Sequence, residues 1–183
     1  MARDAEATRA RLLTAARKEF AAYGIAGARV DRIAADASSN KAQIYHYFGS
    51  KDALFDAVFE QVVDQIVNGV PIDVDDLPGY AARLSAMYRK SPDVLRLATW
   101  QRLERGEENV PAAVEATRHK VSEIERAQAD GRLTARYPAE VLLAAVLHIA
   151  ELWAEPSREA GQRPRAATTQ RQSIEQLVRD VVA

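Results

Sequence analysis

Apolar residues recur along most of this chain at steps of three and four, the interval at which an α-helix returns to the same face. Over residues 5–23, Leu12, Leu13, Ala16 and Phe20 share one side, and Gly24 offers a left-handed stop. Val30, Ile33, Ala34 and Ala37 predict a short helix over 30–37. Ser38, Ser39 and Asn40 then make a polar turn able to cap a second short helix, 41–48. Gly49 and Ser50 break and recap the chain. Leu54, Phe55, Val58, Phe59, Val62, Val63 and Ile66 stripe a long helix over 51–68, about 27 Å at 1.5 Å per residue.

Residues 68–78 hold one glycine, two prolines and three aspartates and read as a linker. Beyond it, Leu77, Tyr80, Ala81, Leu84, Met87 and Tyr88 predict a helix to about residue 90. Ser91-Pro92 starts another, which ends at Gly106. Val110, Val114, Thr117, Val121 and Ile124 carry a helix to Asp130, stopped by Gly131. Pro138 opens the most apolar segment, through Trp153, greasy on most of its circumference and so in need of cover on both sides. Residues 156–167 read as a basic loop. Thr169 and Gln172 have capping-box spacing before a final helix striped by Ile174, Leu177, Val178, Val181 and Val182. No strand or repeat is evident, so the fold class is all-α with about nine helices: a three-helix N-terminal head and a helical body.

Charge sharpens this division. Net charge is −1, yet residues 1–51 hold nine Lys/Arg against five Asp/Glu, leaving 16 against 21 for the remainder. A basic head on an acidic body suits a chain that meets phosphate at one end. With no cysteine, disulfides, thiolate metal sites and cysteine nucleophiles are excluded. No apolar run approaches the roughly 18–20 residues of a membrane span, and the first residues lack a secretory apolar stretch. The expectation is a cytoplasmic protein without membrane contact. No nucleophile elbow, phosphate-cradling loop or dinucleotide glycine pattern is present, so neither an enzyme nor a cofactor is expected.

The informative stretch is Gly24–Leu54. Two helices of about eight residues, joined by a tight turn and preceded by a longer helix, describe a helix-turn-helix. Its second helix must fit a major groove about 12 Å wide and present side chains to base edges. Lys41 can reach phosphate or guanine, and Gln43 can donate to and accept from adenine. Tyr45, His46 and Tyr47 add three hydrogen-bonding rings, while Ile44 and Phe48 anchor the helix from behind. Lys51, in the first turn of the next helix, lies where a phosphate is favoured. Arg29 is a further candidate phosphate contact, and Asn40 and Ala42 complete the exposed start of the helix. Arg3, Arg9 and Arg11 read as a solvated arm.

Ile33-Ala34 and the run Lys41-Ala-Gln-Ile-Tyr-His-Tyr-Phe-Gly-Ser-Lys-Asp-Ala-Leu closely resemble the DNA-binding head of the TetR family of bacterial regulators. The resemblance is specific over about residues 8–60 and architectural beyond. It implies operator binding by a homodimer, a small-molecule effector in the body, and pairing through the last two helices, near 138–154 and 169–182. It divides the chain at residue 50, with 51–183 as ligand-binding and dimerisation domain and helix 51–68 as connector. By position it implies Gln43 at bases, Tyr45 and Tyr47 at base or backbone, and Lys51 at phosphate. The chain departs from the family's pattern in the turn, where Ser38 and Ser39 replace a glycine and an apolar residue, and at Arg29, where a Thr or Ser cap is usual.

In the body, Met87, Tyr88, Trp100, His148, Glu151 and Trp153 are candidate effector-lining residues, because tryptophan with a few polar groups suits an amphiphilic ligand. Glu115 with His119, and His148 with Glu151, have the spacing of paired metal ligands. With three histidines and no cysteine, ordinary surface pairing is the preferred reading, and no metal is expected. The residues alone leave open a constitutive DNA-binding regulator without effector, and a helical interaction module that has lost DNA contact.

Overall fold

Gly24 bends the first helix rather than ending it. In a computed structural model of the chain, which describes residues 2–106, 110–152, 154 and 166–182, helix α1 runs Ala2–Gly27 with a break at Gly24 (φ 74°, ψ −178°). The break orphans amide N–H groups in the turn that follows, and the helix resumes for that turn with Ala28 N–H on the Gly24 carbonyl. Arg9 and Arg11 therefore sit on a helix rather than on a loose arm. Arg9 lies over the Phe48 ring at 5.3 Å, and Arg11 donates to Thr8.

The described residues form nine α-helices and no strand. After α1 come α2 (Val30–Asp36), α3 (Lys41–Phe48), α4 (Lys51–Gly69), α5 (Leu77–Lys90), α6 (Pro92–Arg105), α7 (Pro111–Ala129), α8 (Ala139–Glu151) and α9 (Ala167–Val182). They group into two compact units, Met1–Val63 with Asp93–Ala113, and Asp64–Pro92 with Val114–Ala183.

The first unit closes around Leu12, Phe20, Ile33, Ile44, Leu54, Phe55 and Leu97, all fully buried. Phe20 meets Phe55 edge-on at 5.2 Å, and Phe55 stacks on Phe59 at 5.8 Å. It recruits α6 although that helix follows the linker. Trp100 lies against Gly24, where an added Cβ would meet its ring atoms at 2.9 Å and 3.0 Å. Arg96 Nε donates to the Ala21 carbonyl at 2.8 Å, and Trp100 Nε1 to the same oxygen at 3.4 Å. Glu104 Oε2 accepts the Ala26 N–H at 2.7 Å, close to the amides the break exposes. Arg105 pairs with Asp52 and Asp56 of α4, and Arg17 with Asp93.

The second unit packs α5 against α8 and α9. Asp76 caps α5, its carboxylate accepting the Gly79 N–H at 2.9 Å, and Pro78 occupies the first turn. Leu77, Tyr80, Leu84, Ile124, Leu142, Ile174 and Val178 are buried there. The hydroxyl of Tyr80 finds no partner among the described residues, and burial pushes its pKa up to about 12. Among the described residues, apolar side chains on and beside α8 and α9 stay exposed: Val141 of α8 is 49% exposed, Leu152 just after it 40%, and Leu177 of α9 42%. The capping box expected at Thr169 does not form. Because α9 begins at Ala167, Thr169 lies inside the helix, where its carbonyl accepts from Ser173. The loop read at 156–167 falls almost wholly outside the described residues.

Candidate nucleic-acid interface

The turn between α2 and α3 works without glycine. Ser38 adopts φ 50°, the left-handed position that ends many helices. Ser39 N–H bonds the Ala34 carbonyl at 2.9 Å and Ser38 N–H bonds that of Ala35 at 3.1 Å, the paired bonds of a Schellman closure. A Cβ in that conformation costs free energy that glycine does not. Ser38→Gly is expected to stabilise the first unit by about 1 kcal/mol. Urea denaturation followed by circular dichroism checks this, and an unchanged or lower midpoint would refute it.

Asn40 starts α3. Its backbone is extended (φ −130°, ψ 162°), and its side-chain oxygen accepts the Gln43 N–H at 2.9 Å. The two turns of α3 then present a row of side chains. Lys41, Ala42, Gln43, Tyr45 and His46 face solvent, Tyr47 and Phe48 are half-buried, and Ile44 is wholly buried as the anchor. His46 and Tyr47 meet edge-to-face at 5.3 Å. Ser39 donates its hydroxyl to the Gln43 carbonyl oxygen. That oxygen keeps a second lone pair and the amide nitrogen stays free to donate, so Gln43 is aimed without being used up. Lys41 Nζ rests 3.3 Å from Asp31 in an exposed pair of little intrinsic strength, readily exchanged for another anion.

Two flanking candidates behave differently. Arg29 precedes α2 and, as the sequence suggests, gives it no side-chain cap. Glu19 of α1 takes over: its carboxylate accepts the Arg29 N–H at 2.9 Å and pairs with Arg32. The Arg29 guanidinium stays exposed, without an ion pair among the described residues. Lys51 is half-buried and donates to the carbonyls of Ala26 (3.3 Å) and Ala28 (3.4 Å). It staples α4 to the end of α1, so a phosphate would have to compete with those carbonyls.

The arrangement is a solvent-exposed polar face on a short helix, backed by one buried isoleucine and preceded by a tight turn, which is what entry into a DNA groove requires. Residues 12–58 match the family described as bacterial regulatory proteins, tetR family. Residues 76–181 match the tetracyclin repressor-like C-terminal domain. The chain belongs to the TetR family.

This TetR-family protein is a DNA-binding transcriptional regulator. It is 42% identical to the HTH-type transcriptional repressor SCO4008 of Streptomyces coelicolor over 156 residues, 84% of this chain and 81% of that one. The crystal structure of SCO4942 from Streptomyces coelicolor superposes with a TM-score of 0.85 at 36% identity, covering 96% of this chain and 98% of that one. A TetR-family regulator from Marinobacter aquaeolei shares the fold at 18% identity, with a TM-score of 0.77 over 100% of this chain and 99% of that one. Among the described residues no helix is long and apolar enough to cross a membrane.

The residues singled out for an effector are divided between the two units. Trp100 belongs to the first unit, where it braces α1, whereas Tyr88, Met87, His148 and Glu151 lie in the second. Tyr88 is buried, and desolvation together with the nearby Glu151 carboxylate raises its pKa. Met87 is half-buried, and His148 is exposed with Nδ1 2.8 Å from the Ala144 carbonyl. Trp153 falls outside the described residues. Glu115 pairs with Arg118. A cavity of about 280 Å³ lies beside Val67, Ile72, Val74, His119, Lys120 and Glu123, where no motif marks it. Its only signal in the sequence was the apolar alternation Val70, Ile72 and Val74 inside a segment read as linker.

Proposed function

We propose that this TetR-family regulator is a cytoplasmic repressor whose homodimer sets two copies of α3 into successive major grooves of a palindromic operator. The exposed row Lys41, Ala42, Gln43, Tyr45 and His46 on the buried Ile44 anchor is the observation that carries this reading. Within it Gln43 reads a base edge, Tyr45, His46 and Tyr47 contact base or backbone, and Lys41, Arg29 and Lys51 take phosphates. Asn40 and Ala42 face the duplex at the start of the helix. Residues 1–50 then act as the DNA-binding part and residues 51–183 as the ligand-binding and dimerisation part.

Repression is the role of the relative at 42% identity, and that likeness supports it here. The uncovered apolar side chains Val141, Leu152 and Leu177 support a dimer through α8 and α9, since a second copy removes them from water and pairs the heads for a symmetric site. A body that keeps a cavity and a buried hydroxyl without a partner supports a small-molecule effector. Such a ligand would act by favouring one of two dimer states, a coupling typically of about 1–3 kcal/mol.

Selection of bound duplexes from a random DNA pool tests the reading. The expected product is a palindrome with half-sites about one helical turn apart. Binding to it should weaken steeply between about 50 and 200 mM salt as phosphate contacts release counterions. No enrichment at low salt, or a flat salt response, would sink it.

A further inference from the structure

The cavity beside α7 has a chemistry of its own. Val67 at the end of α4, with Ile72 and Val74 of the segment that follows, gives it an apolar wall. Across about 280 Å³ stand His119, Lys120 and Glu123 of α7. Glu123 is already ion-paired with Arg126. Lys120 is half-buried and makes no hydrogen bond or ion pair among the described residues. Burial accordingly pulls its ammonium pKa below the ordinary lysine value, with no carboxylate offsetting it. A half-buried cation at the edge of an apolar hollow is destabilised until an anion reaches it. A neutral apolar ligand would leave that charge uncompensated, and a cationic one would worsen it.

We propose that this cavity takes a small organic monocarboxylate, its apolar body against Val67, Ile72 and Val74 and its carboxylate on the Lys120 ammonium. The assignment rests on the reading that the body holds the effector, and it names both the seat and the ligand's chemical class. Lys120 is here a ligand-binding residue. It supplies one charge-assisted hydrogen bond, while the hollow supplies shape and apolar contact.

The test uses the full-length protein and matched probes: hexanoate and benzoate against hexanol and benzyl alcohol, titrated by calorimetry. A carboxylate is expected to bind about tenfold or more tightly than the alcohol of the same skeleton. Lys120→Met, which keeps the length and removes the charge, should erase that preference, and Lys120→Arg should keep most of it. Binding of the selected operator by each variant, measured without any probe, serves as the control for folding. It also separates the two ideas: failure of operator binding by the parent overturns the regulator, not the cavity. With operator binding intact, the proposal is overturned if no carboxylate binds, if alcohols bind equally well, or if Lys120→Met leaves carboxylate affinity unchanged.

Discussion

Replacing Gly24 with alanine is expected to destabilise the first unit by about 2–4 kcal/mol. Two independent costs meet there. At φ 74° and ψ −178° the backbone occupies a region essentially closed to residues with a Cβ. The new methyl would also press on the Trp100 ring at 2.9 Å and on the Glu104 carboxylate. Neither neighbour can retreat without loss, because Trp100 Nε1 is tied to Ala21 and Glu104 to the Ala26 N–H. Gly69→Ala is the contrast: a Cβ there meets nothing within 4 Å, and the change should be neutral or mildly stabilising. Urea denaturation of both variants decides the matter, and a Gly24→Ala protein as stable as the parent would refute the packing account.

Gln43→Ala should lower affinity for the selected operator by about thirtyfold or more, because the dimer loses one base contact of about 1–3 kcal/mol in each half-site. The loss should be concentrated at one base pair in each half-site, because Gln43 is oriented by Ser39 and exposed in the first turn of α3. Lys41→Ala makes a different prediction. Its ammonium, lightly held by Asp31, would serve phosphate, so its loss should weaken all sequences alike and reduce the salt dependence. Fluorescence anisotropy on the palindrome and on its single-position variants distinguishes the two patterns. If Gln43→Ala loses affinity uniformly, it is not a base-reading residue.

Much of the first unit could be read from the chain because its devices are local. Asn40 caps three residues ahead, Ser38 closes the turn on Ala35, and Ile44 is buried between exposed neighbours, all within one short window. The place of α6 was not readable in that way. Arg96 and Trp100 hydrogen-bond a main-chain carbonyl and Glu104 a main-chain N–H, groups every residue carries, and its ion pairs, Arg105 with Asp52 and Asp56 and Arg17 with Asp93, join charges too far apart in the chain to be matched by spacing. Glu19 replaces a missing helix cap from ten positions away, outside the window in which caps are sought. Thr169 failed in the opposite sense: its spacing was right, but Ala167 and Thr168 let the helix begin before it. The cavity at Lys120 was hidden because a half-buried lysine and a surface lysine look alike in one sequence.

The membership of α6 in the first unit also bears on how the molecule is made. A ribosome delivers the helix-turn-helix first, then the whole of α4 and α5, and only afterwards Trp100, Glu104 and Arg105. Until they emerge, the Ala26 N–H lacks the Glu104 carboxylate and the Ala21 carbonyl lacks the Arg96 and Trp100 donors. A fragment cut after residue 63, or a chimera that transplants such a fragment onto another body, would stay in that unfinished state. A transplantable head must bring α6 with it.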